Sequence, residues 1–119
     1  MIVLNSDTDG INKAADALRA GQIVAYPTET VYGLGVDPLN EEAMKLLYEV
    51  KGRDPHKMVL LIVSSYTQMN RFVENVPEYG QKLIQAFWPG PLSILFEPKQ
   101  DVSENLLGDT GKICIRQTS

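Results

Sequence analysis

Residues 23–35 read Ile23-Val24-Ala25-Tyr26-Pro27-Thr28-Glu29-Thr30-Val31-Tyr32-Gly33-Leu34-Gly35, and this stretch decides the fold. The apolar run Ile23–Tyr26 ends at Pro27 and empties into hydroxyls and one carboxylate: Thr28, Glu29, Thr30 and Tyr32. Gly33 and Gly35 then allow a tight turn or a close approach of the backbone. A strand that opens into a polar, glycine-bounded turn is how α/β proteins present groups to a ligand at a strand end. The same pattern also fits an ordinary strand–loop–strand corner. What separates the two readings is the cationic segment downstream, Lys51-Gly52-Arg53-Asp54-Pro55-His56-Lys57.

Working outward, helices and strands interleave. Asp7–Ala20 carries Ile11, Ala14, Ala15 and Leu18 at i, i+3, i+4, i+7, with Ser6, Asp7 or Thr8 to cap it and Gly21 to close it. Gln22–Tyr26 reads as a strand and Leu34–Asp37 as a second short one. Asn40 caps a helix whose first turn holds Glu41 and Glu42, where the dipole favours negative charge, and whose buried stripe is Ala43, Leu46, Leu47 and Val50. The run Met58–Val63 reads as a strand covered on both faces. A short helix follows around Tyr66–Val73. Another starts with Pro77 in its first turn, turns Leu83, Ile84 and Phe87 inward, and is stopped by Trp88-Pro89-Gly90-Pro91. Leu92–Phe96 and Lys112–Arg116 complete the strands. The sum is a single α/β layered domain, residues 1–119, with helices packed on a mixed sheet. Its last strand has no following element to cover it.

Bulk composition narrows the chemistry. Apolar residues make up 44% and charged residues 22%, as in ordinary globular chains that bury a core without metals or disulfides. No apolar run is long enough to span a bilayer, and Met1-Ile2-Val3-Leu4 lacks the basic start of a secretory signal, so no membrane association and a cytoplasmic location are expected. The single Cys114, in an alternating segment, reads as a half-buried strand cysteine. Eleven Lys and Arg against fifteen Asp and Glu give a net charge of −4, which argues against general nucleic-acid affinity but leaves room for a local anion site.

Within Lys51–Lys57, two lysine point charges and the planar fork of Arg53 suit several phosphate oxygens at once. A solvated basic turn at a helix C-terminus accounts for the same residues. His56 stands alone between Pro55 and Lys57, without a nucleophile signature around it. Metal-ligand spacings, a complete GxGxxG and a Walker A motif are all missing, so no metal site and no catalytic side chain is assigned.

Four motifs in order, Tyr26–Gly35, Lys51-Gly52-Arg53, the strand after Lys57 and Trp88-Pro89-Gly90-Pro91, resemble the YrdC-like family of threonylcarbamoyl-adenylate synthases from about Ile11 to Arg116. The resemblance implies a twisted α/β sheet with a concave cationic cavity. It implies a reaction of L-threonine, bicarbonate and ATP, with magnesium, that gives threonylcarbamoyl-adenylate and pyrophosphate. Partner proteins of the threonylcarbamoyl-transferase complex then modify tRNA. By resemblance, Lys51, Arg53 and Lys57 match phosphate-binding positions, Thr30 a threonine-binding position with Thr28 and Tyr32 lining the same pocket, and Arg116 the arginine near the substrate threonine. Three departures stand out: Asp54 where a proline is usual, Gln117 and Thr118 where a hydrophobic residue and a proline are usual, and no Ser-x-Asn motif after Arg116, where the family carries one. They imply the N-terminal portion of such a domain, with a non-catalytic nucleotide or amino-acid binding module, or a weak RNA-binding domain, as the alternatives.

Overall fold

The computed structural model describes residues 1–119, in the order α1 (Thr8–Arg19), β1 (Val24–Tyr26), β2 (Gly33–Gly35), α2 (Glu41–Lys51), β3 (Leu60–Val63), α3 (Tyr66–Met69), α4 (Glu78–Phe87), β4 (Ile94–Phe96), α5 (Glu104–Leu107), a 3-10 turn (Gly108–Thr110) and β5 (Ile113–Gln117). The chain forms two compact units. The first comprises Met1–Pro27 and Tyr32–Arg53, the second Thr28–Val31 and Asp54–Ser119.

In the first unit, Asp7 caps α1 by accepting a hydrogen bond from the Gly10 N–H at 2.8 Å. At the other end, the Gly21 N–H bonds to the Leu18 carbonyl and the Gln22 N–H to the Ala17 carbonyl. This paired closure engages Gln22, which is why β1 starts at Val24 and not at the expected Gln22. The expected buried stripe of α1 is only half covered, since Ile11 is exposed and Ala14, Ala15 and Leu18 are half-buried. β1 and β2 pair antiparallel with Tyr26 opposite Gly33, so the second strand starts one residue before the expected Leu34 and stops at Gly35, short of Asp37. The Tyr26 ring lies over Gly35, where a Cβ would come within 2.5 Å of Cε1. Asn40 caps α2 through its Oδ1 and the Ala43 N–H at 3.0 Å, as its sequence position foretells. The face it buries is Ala43, Met44, Leu47 and Tyr48, with Leu46 and Val50 exposed. The stripe is therefore rotated from the expected one, because the large side chains of Met44 and Tyr48 claim the interior.

The second unit carries a three-stranded mixed sheet in the order β3-β5-β4. β5 runs parallel to β3, with Ile62 opposite Arg116, and antiparallel to β4, with Ile94 opposite Ile115. The last strand is thus the middle one of its sheet, with both of its edges paired. Ile113 and Ile115 are fully buried, and Leu61, Val63, Met69, Phe72, Val73, Phe96 and Leu106 complete the core of this unit. β3 starts at Leu60, which is exposed, so it is not covered on both faces along its length. The α3 helix stops at Met69 because Phe72 and Val73 join β-type bonding to the 97–99 segment: Glu74 N–H to the Glu97 carbonyl and Lys99 N–H to the Phe72 carbonyl. α4 follows Pro77 and leaves Leu83 and Phe87 exposed, contrary to the expected inward face. It ends at Trp88, whose indole N–H donates to the Leu92 carbonyl at 2.7 Å and whose ring meets Phe96 edge-on at 6.2 Å. The Trp88–Pro89 peptide is cis. α5, in the polar loop before β5, has no counterpart in the periodicity reading because one turn is too short to show a period. No helix is long and apolar enough to cross a membrane.

Candidate functional site

β5 places its chemistry by alternation. Ile113 and Ile115 point into the core, while Cys114, Arg116 and Thr118 share the opposite face. Burial raises the Cys114 thiol above its ordinary pKa, consistent with an inert, half-buried strand cysteine. Arg116 is only 8% exposed, which is rare for a guanidinium and expensive unless it is paired.

Its partner comes from the loop that opened the sequence reading. Glu29 Oε1 lies 3.4 Å from Arg116 Nε, with side chains 15% and 10% exposed. The contact is an ion pair without hydrogen-bond geometry, since the buried Nε–H has no hydrogen-bond acceptor. The other carboxylate oxygen, Oε2, accepts from the Thr118 hydroxyl, from the Ser119 N–H at 3.0 Å and from the Ser119 hydroxyl at 3.3 Å. These donors, the Thr118 hydroxyl first, hold the Glu29 carboxyl below its ordinary pKa against the opposing effect of desolvation, with the Ser119 N–H and the Arg116 charge adding to them. Glu29 therefore stays ionised throughout the neutral range. Residues 116, 118 and 119 are thereby tied to the 28–31 loop.

Thr28 builds that loop. Its hydroxyl donates to the Val31 carbonyl at 2.7 Å and accepts from the Thr30 and Val31 N–H groups at 3.3 Å. With its one proton given to Val31, the 3.1 Å contact to Thr30 Oγ1 makes the Thr30 hydroxyl the donor. Thr28 is committed to the loop backbone, whereas the exposed Thr30 oxygen keeps its acceptor capacity. Thr28, Thr30 and Arg116 belong to the second unit and the exposed Tyr32 to the first.

The cationic residues divide in the same way. Lys51 ends α2 and Arg53 follows it, both in the first unit, while Lys57 is in the second. Gly52 adopts φ +58°, and the Gly52 and Arg53 N–H groups return to the Glu49 and Tyr48 carbonyls at 3.1 and 3.0 Å. Lys51-Gly52-Arg53 is thus a helix-ending motif in which glycine supplies the left-handed turn. Nothing lies within 4 Å of the place a Cβ would occupy at Gly52, so conformation is what the chain itself demands there.

In the second unit, His56 is exposed and partnered. Its Nδ1 lies 3.0 Å from Asp109 Oδ1, its carbonyl accepts from the Asp109 N–H at 2.7 Å, and its own N–H donates to Asp54 at 2.9 Å. The Asp109 hydrogen bond and charge, with Asp54 behind them, raise the imidazole above its ordinary pKa. Gly108, at φ +56°, sits against this segment, and a Cβ there would come within 2.5 Å of the Met58 nitrogen. No group of three or more His, Cys, Asp or Glu gathers in a metal-binding arrangement.

The residues that sequence reasoning left without a role are Glu29, Thr118, Ser119 and Asp109. Glu29 stood in the decisive stretch, and its isolation among hydroxyls was the available signal. Its partners are far away in sequence and gave none.

Comparison with known proteins identifies the frame. The family model Sua5_yciO_yrdC, described as "Telomere recombination", matches residues 16–119. The threonylcarbamoyl-AMP synthase of Pyrococcus abyssi is 36% identical over 106 residues, covering 89% of this chain and 31% of the relative. That of Vibrio cholerae is 37% identical over 110 residues, covering 91% and 58% respectively. The crystal structure of P. abyssi Sua5 complexed with L-threonine superposes with a TM-score of 0.94 at 32% identity, over 100% of this chain and 36% of that one. An α/β protein with a mixed sheet and this order of motifs is thereby defined. The chain belongs to the Sua5/YciO/YrdC family. It spans 31% and 58% of the length of the two relatives named.

Proposed function

We propose that this chain carries the amino-acid-binding part of a threonylcarbamoyl-AMP synthase and takes part in forming threonylcarbamoyl-adenylate from L-threonine, bicarbonate and ATP. The observation that carries the reading is Arg116, nine-tenths buried on the sheet face and matched only by the Glu29 carboxylate beside the Thr28–Val31 loop. A buried guanidinium with spare donors suits a ligand carboxylate, and the Thr30 hydroxyl suits a small polar side chain.

In the reaction proposed, the threonine nitrogen adds to the bicarbonate carbon with loss of water. The resulting carbamate oxygen attacks the α-phosphorus of ATP, and pyrophosphate leaves. Lys51, Arg53 and Lys57 meet the phosphates and offset their charge, Arg116 holds the threonine carboxylate, and Thr28 shapes the loop that presents Thr30. Magnesium, in this reading, travels with the nucleotide phosphates, which fits a chain whose own carboxylates do not cluster. The tRNA and the proteins that transfer the group belong to the same proposal.

A second reading is a binding module that holds the amino acid without turnover. Mass spectrometry of the purified chain with ATP, magnesium, L-threonine and bicarbonate separates the two. Threonylcarbamoyl-adenylate that disappears in Arg116→Ala supports the synthase. A folded chain that binds threonine and makes no product leaves the binding module.

A further inference from the structure

Two opposite charges lie side by side in the second unit, and each has capacity left. Glu29 Oε2 is filled by Thr118 and Ser119, whereas Oε1 faces Arg116 Nε at 3.4 Å and takes no hydrogen bond from another side chain. A carboxylate oxygen has room for about two donors, and a guanidinium has about five N–H groups, of which the buried Arg116 Nε–H makes no hydrogen bond here. Thr118 and Ser119 fix the Glu29 carboxylate in place, so it does not swing away when a ligand arrives. A ligand carrying only a carboxylate would approach Arg116 beside a fixed negative charge and be repelled by it. One carrying a carboxylate and an ammonium on the same carbon would meet a complementary charge at each end.

We propose that Glu29 is the specificity-determining residue of this site: its Oε1 receives the ammonium group of a free α-amino acid whose carboxylate lies on Arg116, so that the site takes zwitterions and rejects the corresponding deaminated acids. This rests on the reading of Arg116 as a carboxylate site. It adds a discrimination that neither the hydroxyl loop nor the arginine supplies alone, because rejection of the wrong ligand comes from the unmatched charge.

Isothermal titration calorimetry of the 119-residue chain at pH 7 and fixed salt, with L-threonine and with 3-hydroxybutyrate, tests it. The unaltered chain is expected to prefer threonine by more than about tenfold. Glu29→Gln is expected to weaken threonine by about tenfold while leaving 3-hydroxybutyrate unchanged or tighter, so that the preference collapses. Glu29→Asp, which keeps the charge, retains more of it. An unchanged preference in Glu29→Gln overturns the proposal and leaves the Arg116 site standing. No binding of either acid by the unaltered chain overturns both. Should the variants fail to fold by circular dichroism, the unaltered chain decides, since equal affinities for the two acids overturn the proposal.

Discussion

Two loops of the second unit each carry an ion pair, and they hold in opposite ways. His56 and Asp109 meet at 3.0 Å with side chains 72% and 77% exposed; Arg116 and Glu29 meet at 3.4 Å with side chains 10% and 15% exposed. Ranked by distance the first is the better pair, yet water screens it and an exposed pair contributes little. The second lies where removal of one partner leaves a charge nearly out of water. The His56 loop is held instead by backbone: the Asp109 N–H on the His56 carbonyl, and Gly108 packed where no side chain fits. One loop is fastened by shape, the other by charge.

The largest effect should come from the shape. Gly108→Ala combines a left-handed φ with a Cβ placed 2.5 Å from the Met58 nitrogen, and should destabilise the chain by about 3 kcal/mol in urea unfolding. A loss under about 1 kcal/mol would mean that the 54–58 loop moves aside freely. Next comes the charge. Glu29→Ala should lower the thermal midpoint by several degrees, with Glu29→Gln in between, because Arg116 loses its counter-charge and Thr118 and Ser119 lose their acceptor. Two variants that melt with the unaltered chain would reduce the pair to a surface contact.

Acid titration sharpens the contrast. The Glu29 pKa is lowered in the folded chain, so its contribution is present above the ordinary value of 4.5 and fades as pH falls through the folded value. The His56 pKa is raised, so its contribution is present below the ordinary value of 6.5 and fades as pH rises through the folded value. Stability measured against pH should therefore lose the Glu29 contribution on the acid side, and Glu29→Gln should remove that acid-side loss. The smallest effect belongs to Asp109→Asn, expected to shift the midpoint by less than about 2 °C and to flatten only the step above pH 6.5.

Much of the frame was legible in the sequence because it is local. Asn40 capped the helix it was expected to cap, Asp7 among the three candidates Ser6, Asp7 and Thr8 capped α1, and Trp88-Pro89-Gly90-Pro91 ended α4, since caps and breakers act on neighbouring backbone groups. The exposed faces of α2 and α4 were harder. Periodicity marks an apolar stripe but does not say which side chains the neighbours cover, so Leu46, Val50 and Phe87 stayed in water. The centrality of β5 was invisible, because strand order in β3-β5-β4 comes from pairings across the chain. The candidate site shows the same division. Thr28 and Thr30 were readable as a hydroxyl loop and Arg116 through its family resemblance. Glu29 joining Arg116, Thr118 and Ser119 is a long-range contact with no local trace.

The central claim is that Arg116, beside Glu29, receives the carboxylate of an amino acid. A nitrogen-15 NMR titration that follows the arginine side-chain Nε–H signals as L-threonine is added tests it most directly. The account predicts that the Arg116 Nε–H signal shifts saturably, together with the Glu29 and Thr30 amides, and that Arg116→Lys abolishes the response. An Arg116 signal that stays fixed while threonine binds, or shifts that gather only elsewhere in the chain, would contradict it.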